Sequence, residues 1–408
     1  MKLLFTLAWR NIWRNKRRTL ITVSSVFFAC LLAIVMISMA KGLQEQMIET
    51  SVRNSTGYLQ IQDPFFHDEP SMDNTLDYSE ELKVLVESQA DLFEYTVPRL
   101  QGFALAAQGM HTKAAMVNGV VFEKENRMSN LGGHLTEGAF FDDDSEFVVL
   151  AEGLAQQLEL SIGDTLILLG QGYQGMTSTG KYVIGGIVTL AMPELNNMMV
   201  YMPLKKAQWF FAAPDRLSNL IFMVDDERTI DPLIANLSAE LDPEWYVVKK
   251  WDELLPDMIG LLEFREAINT FMAWILYLVV AFGIFGTILT MLYERMREFG
   301  IMMSVGMKRI QLATIVFLET LFISFLGVIA GIVASLPLLM YLKKNPIRFS
   351  EELSEYMLEY GMDPVLPFSM HPAIFSSQGI TIFVVVVIIG IYAVQRIFRL
   401  NILEAARN

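Results

Sequence analysis

Two glycine-rich runs near the middle of the chain have spacings that phosphate chemistry uses. Gly170, Gly172 and Gly175 (GQGYQG) match a dinucleotide loop, and Gly175 to Lys181 (GMTSTGK) matches most of a phosphate loop. A phosphate loop needs Ser or Thr after its lysine to hold magnesium, and a helix N-terminus facing the phosphates. Here Tyr182 follows the lysine, and KYVIGGIV reads as a strand. The runs are therefore read as a hairpin tip, and the chain as carrying no ATPase of its own. Hydrolysis finds no better footing. His67, His111, His134 and His371 stand apart, without a paired metal-ligand spacing, and no strand-turn-helix nucleophile elbow occurs. Asp142, Asp143 and Asp144 are consecutive, so they point in different directions and form a solvated turn rather than a calcium loop. No catalytic and no metal site is assigned, and the 25 methionines suit adaptable packing before copper.

What remains is charge in unusual places. Glu319 lies well inside an apolar run, which makes it an intramembrane functional candidate, with packing between helices as the competing reading. Upstream, Glu294 to Arg309 (ERMREFGIMMSVGMKR) sets charges and two glycines between two apolar stretches. Glu294 with Arg297, and Arg295 with Glu298, sit three apart, so on a helix each pair shares a face. Phe299, Ile301, Met302, Met303 and Val305 supply an apolar surface, and Gly306 suits a left-handed helix stop. A short amphipathic helix held between two spans gives a soluble motor something to push. A solvated turn is the plainer alternative.

Hydropathy supplies the elements that position these residues. The 408 residues are 53% hydrophobic, with a positive mean hydropathy, too apolar for an ordinary soluble enzyme. Residues 1–19 carry six basic and no acidic side chains, with Leu3, Leu4, Leu7, Ala8 and Ile12 at helical spacing; they predict a cytoplasmic amphipathic helix at the interface. Spans are predicted at 20–41, 268–293, 311–341 and 376–398, each long enough to cross a bilayer. A cleaved signal peptide competes for the first, and the length of the apolar run argues against it. The third is long enough that it must tilt, protrude or bend near Pro337. Gly327, Gly331 and Ser335 repeat every four residues as a helix-packing face, and Gly283 and Gly286 are candidates for another.

Residues 42–267 alternate between strand and helix patterns. Helical segments flank them, one continuing from Gly42 and one from Trp251 to Glu266, interrupted near Pro256. Residues 294–310 form the cytoplasmic loop, and 399–408 a cytoplasmic tail. Residues 342–375 form an external loop in which Phe349, Leu353, Tyr356, Met357 and Tyr360 mark an apolar helix face. The predicted fold class is an α-helical membrane protein with four transmembrane helices and a large α+β extracytoplasmic domain between helices 1 and 2. Residues 42–267 hold 36 acidic and 14 basic side chains, a balance of −22 against −14 for the whole chain. Nucleic acid, which needs clustered Lys and Arg, is excluded as a partner. Basic residues crowd the first 19 positions, the loop 294–310 and the end of the fourth span, which places both termini inside. With Cys30 alone, no intrachain disulfide framework is available.

ERMREFGIMMSVGMKR, continued by QLATIVFLETLFISFLGVIAGIVAS, resembles the coupling loop and third span of ABC permeases of the macrolide-exporter (MacB), lipoprotein-release (LolC and LolE) and FtsX superfamily. WRNIWRNKRRT and the terminal LNILEAARN are similar to that family's ends, and Phe147 to Leu169, Lys181 to Val188 and Met198 to Pro203 resemble its extracytoplasmic β-rich core. The resemblance implies a half-transporter in the inner (cytoplasmic) membrane, dimeric with a second copy or a paralogue. A separate ABC ATPase would hold ATP and magnesium, and no cofactor is expected in this chain. ATPase docking is then expected on Glu294, Arg297, Glu298, Gly300, Ile301 and Gly306, and a glutamate at position 319 agrees with the family without fixing its role. KGLQEQMIETSVRNSTGYLQIQD is similar in layout to the lipoprotein-release branch, implying lipoprotein cargo and a periplasmic carrier. AWRNIWRNKRRT is closer to the macrolide exporters, implying mechanical export of peptides or small molecules. A membrane sensor is the alternative of another class, and the want of a cytoplasmic output domain counts against it.

Overall fold

The structure, a computed structural model, describes residues 2–14, 16–190, 192–359 and 364–398. They fall into two compact units. The first takes in the described residues up to Glu45, from Leu261 to Arg348 and from Val365 onward; the second takes in those from Gln46 to Gly260 and from Phe349 to Pro364.

The first unit is helical. Four of its helices are long and apolar enough to cross a membrane: Lys16–Ser51, Pro256–Glu294, Arg309–Lys344 and Pro372–Phe398, here called the first to fourth spans. The first two run on past the predicted boundaries, the first through its flanking helical segment to Ser51 and the second back to Pro256. The second span begins at Pro256, where a missing N–H costs nothing because a first helical residue has no intrahelical acceptor. Leu255, at φ −124°, separates it from the short helix Trp251–Leu254. Pro337 lies inside the third span without ending it.

Small residues set the packing of this unit. Val26, Ala29, Cys30, Ala33 and Ile34 form one buried stripe on the first span. A Cβ added at Gly327 would lie 2.6 Å from the Val26 Cβ, and one at Gly331 2.7 Å from the Cys30 Cβ, so the first and third spans touch where only glycine fits. Ser335 is fully buried on the same face. Gly283 and Gly286 differ from expectation: nothing lies within 4 Å of either, so no described element of this chain packs on them. The N-terminal helix Lys2–Arg14 buries Ala8 and Ile12, four apart, and sets Phe5 and Trp9 edge-on to Phe322 of the third span at 4.9 and 5.4 Å.

The second unit is built on a ten-stranded mixed sheet. In spatial order its strands are Val247–Lys250, Leu59–Gln62, Asn219–Met223, Tyr95–Gln108, His111–Val120, Met199–Pro203, Phe147–Ala151, Thr177–Val188 and Leu135–Gly138, while Thr165–Gln171 pairs with both Tyr95–Gln108 and Thr177–Val188. Central strands such as Asn219–Met223 and Met199–Pro203 are buried at every position and read as continuous apolar runs. Tyr95–Gln108 alternates toward its end, as a half-covered strand does. Gly57, at φ +64°, turns the chain out of the first span into the sheet; a side chain there would meet Ile221 at 2.2 Å. In the loop after the third span, the helix Glu351–Glu359 leaves Leu353 exposed. Tyr360, the side chain of Tyr356 and the tail LNILEAARN lie outside the described residues.

Candidate functional site

The glycine loop holds its own amides. The Gly172 N–H bonds the Met176 carbonyl at 2.6 Å, the Tyr173 N–H the Phe211 carbonyl at 2.8 Å, and the Gln174 N–H the Asp73 carboxylate at 2.6 Å. A carboxylate thus sits where a phosphate would have to, and Thr177–Val188 continues as a strand. The acidic turn is likewise local, Asp142 and the Ser145 hydroxyl bonding each other, which holds the Asp142 carboxyl below its usual range.

A buried polar cluster forms where the second span gives way to the short helix Met296–Ser304. Arg295, 7% exposed, stands between the two helices and pairs with Glu319 of the third span, 2% exposed. Asn11 of the N-terminal helix donates to the other Glu319 oxygen at 2.7 Å. Arg295 also reaches Glu298 at 3.4 Å, and Arg14 meets the same Glu298 oxygen at 2.8 Å. The cluster therefore joins the N-terminal helix, the inter-span helix and the third span. An unpaired carboxylate inside a span is costly, and a partner is what stabilises Glu319 there. Sequence reading found Glu319 and the Arg295–Glu298 spacing but not Asn11 or Arg14; the polar residues of WRNIWRN were the available signal.

The six residues expected to dock an ATPase separate by environment. Glu294, Arg297, Ile301 and Gly306 are exposed. Glu298 is half exposed and already held by two arginines. Gly300 is buried beside Phe299, on the face that packs inward with Met303, and so shapes the packing rather than offering contact to a partner. Gly306, at φ +102°, ends the helix: its N–H bonds the Met303 carbonyl and the Met307 N–H the Met302 carbonyl, each at 3.0 Å, the paired bonds of a left-handed stop.

A second feature of the helical unit was not read from the sequence. The first, second and fourth spans border a cleft of about 630 Å³. Lys41, Gln44, Glu266, Asn269 and Thr270 give it polar walls, and Ile37, Trp274, Ile380, Val384 and Ile388 an apolar stretch. Tyr277 donates to the Gln378 amide oxygen between these regions. The lining residues come from three separated parts of the chain, so no local motif announces them.

Four apolar helices, an α/β domain inserted after the first and a short helix between the second and third define a membrane permease of the ABC-transporter type. Residues 270–402 match the FtsX-like permease C-terminal family, and residues 19–240, over half the chain, match the MacB-like periplasmic core domain. The chain belongs to the family of ABC-transporter permeases that combine these two regions. It is similar to the lipoprotein-releasing system transmembrane protein LolC of Neisseria meningitidis, at 19% identity over 77% of this chain and 75% of that one. It is also similar to LolE of Haemophilus influenzae, at 22% identity over 59% of this chain and 60% of that one. Among solved structures, the periplasmic region of MacB from Actinobacillus actinomycetemcomitans matches 51% of this chain and 95% of its own, at 14% identity and a TM-score of 0.37.

Proposed function

We propose that the chain is one half of a dimeric ABC transporter that extracts lipid-linked cargo, most simply lipoproteins, from the inner membrane. The observation that carries this reading is the cleft of the first, second and fourth spans. Its apolar stretch suits acyl chains and its polar walls suit a headgroup or the peptide attached to it. Both termini would lie in the cytoplasm. A separate ATPase subunit holding ATP and magnesium would dock on the exposed Glu294, Arg297, Ile301 and Gly306. Motion given to the inter-span helix would reach the third span through Arg295 and Glu319 and the N-terminal helix through Arg14 and Asn11. The unbroken first and second spans would carry it to the external domain.

Mass spectrometry of the complex purified from native membranes in mild detergent tests this. An ATPase with acylated lipoproteins is expected. An ATPase with a periplasmic adaptor or outer-membrane channel would replace the cargo reading with mechanical export of peptides or small molecules, which the MacB-like core domain also fits. Absence of any ATPase would sink the docking proposal.

A further inference from the structure

The N-terminal helix Lys2–Arg14 buries Ala8 and Ile12, the latter against Met291 and Ile323. Side chains step about 100° round a helix axis per residue. Phe5, Trp9 and Trp13, four apart, therefore lie beside the buried face, and Arg10 and Arg14 lie beyond them. All five are exposed. Trp9 meets Trp13 edge-on at 6.2 Å, which makes the aromatic stripe continuous. An aromatic stripe bordered by cations suits a helix lying at a bilayer surface, one border in the acyl region and the other among headgroups.

The stripe does not end with the helix. Phe5 and Trp9 both lean on Phe322 of the third span. Phe325, Ile329 and Val333 continue the Phe322 side of that span at helical spacing, and all three are exposed. They lie opposite Gly327 and Gly331, which meet the first span, so this side is the one turned away from the packed helices. It offers an acyl chain an apolar track from the interface inward. The cations beside it are not all spent. Arg14 pairs with Glu298 and Arg295 with Glu319, whereas Arg10, Lys16 and Arg17 are exposed and pair with no carboxylate among the described residues. The sequence holds no acidic residue before Glu45, although the whole chain has a net charge of −14.

We propose that this corner of the helical unit is a binding site for an anionic phospholipid. Its acyl chain lies along Phe322, Phe325 and Ile329, and its headgroup meets Arg10 in the field of Lys16 and Arg17. Free phosphate would leave the aromatic stripe unused, so the ligand is a lipid. A zwitterionic headgroup carries an ammonium that cancels its phosphate and gains little from unpaired cations, while an anionic one gains about fivefold for each Lys or Arg near the surface. The site needs only that the apolar helices cross a bilayer; it is independent of what the cleft in the spans carries and of where an ATPase docks.

The test uses full-length protein in phosphatidylcholine nanodiscs doped with rising fractions of either brominated phosphatidylglycerol or brominated phosphatidylcholine, because bromine on an acyl chain quenches tryptophan only at close range. Trp9 and Trp13 are two of six tryptophans, and the signal lost in the Trp9→Phe, Trp13→Phe protein isolates them. Brominated phosphatidylglycerol should quench them half-maximally at about one-tenth of the mole fraction that brominated phosphatidylcholine needs, since screening trims the summed attraction. Arg10→Gln should reduce that preference several-fold, and Arg10→Gln with Lys16→Gln and Arg17→Gln should abolish it. Salt at about 1 M, where the screening length falls to about 3 Å, should shrink the preference of the unaltered protein in the same way. Equal quenching by the two lipids, a preference that survives the substitutions or the salt, or no quenching of Trp9 and Trp13 by either lipid would each overturn the proposal.

Discussion

Among its described residues, each unit of this permease buries one arginine–glutamate pair, and the two pairs are built differently. In the sheet domain Arg99 meets Glu125 through two parallel bonds of 2.7 and 2.6 Å, and its remaining arm donates to the Ser55 carbonyl at 2.6 Å. Both residues are almost fully buried. Every arm of the guanidinium is used, in a fork geometry that admits one arrangement. The pair thus pins the strand Tyr95–Gln108, the helix Phe122–Ser129 and the wide turn at Val52–Thr56 to one another. In the helical unit Arg295 and Glu319 share their partners with Asn11, Glu298 and Arg14, and the last two reach solvent. A cavity of about 20 Å³ adjoins them. The first pair fixes a geometry; the second sits at a junction of three helices, with part of its network open to solvent, as the motion proposed above would require.

Removing one partner separates the two most strongly. Arg99→Ala leaves Glu125 buried without its cation and should cost the sheet domain about 3–5 kcal/mol, while Arg99→Met with Glu125→Leu should recover most of it. Chemical unfolding followed by domain fluorescence reads both, and a domain indifferent to Arg99→Ala would mean the pair pins nothing. Glu319→Gln should cost less, about 1–2 kcal/mol, because Asn11 keeps an acceptor and helices unfolded within a bilayer find substitute partners. Unfolding in mixed detergent micelles measures it. A loss as large as that of Arg99→Ala would erase the distinction between pin and junction.

How far each pair was legible in the sequence follows from separation along the chain. Glu319 stood out because a carboxylate in an apolar run needs a partner whether it packs or functions, and Arg295 with Glu298 because three residues make a helical turn. Arg295 and Glu319 lie 24 residues apart, and Asn11 lies 308 from Glu319, distances at which periodicity carries no signal. Strands of the sheet domain were readable from alternating or continuous apolar runs, whereas their order was not: Met199–Pro203 lies parallel to His111–Val120, a pairing set by the whole fold. Gly327 and Gly331 were legible as small residues four apart in an apolar run, and each meets the first span. Gly283 and Gly286, three apart in an equally apolar run, have no such neighbour among the described residues. Small residues announce that a helix can be approached, not that one comes.

Arg14 offers the finest division, between the buried pair and its rim. Arg14 and Glu298 are 64% and 48% exposed, so their 2.8 Å contact exchanges hydration for attraction almost evenly. Arg14→Ala should therefore cost about 0.2–1 kcal/mol. The residual loss should vanish in about 1 M salt, where the screening length falls to about 3 Å. The cost of Glu319→Gln should persist there, because ions do not reach a side chain 2% exposed. Unfolding both variants at low and high salt separates the terms. If the Arg14→Ala loss survived high salt, Glu298 and Arg14 would belong to the buried pair itself, and the N-terminal helix would be locked to the third span as firmly as Arg99 is to Glu125.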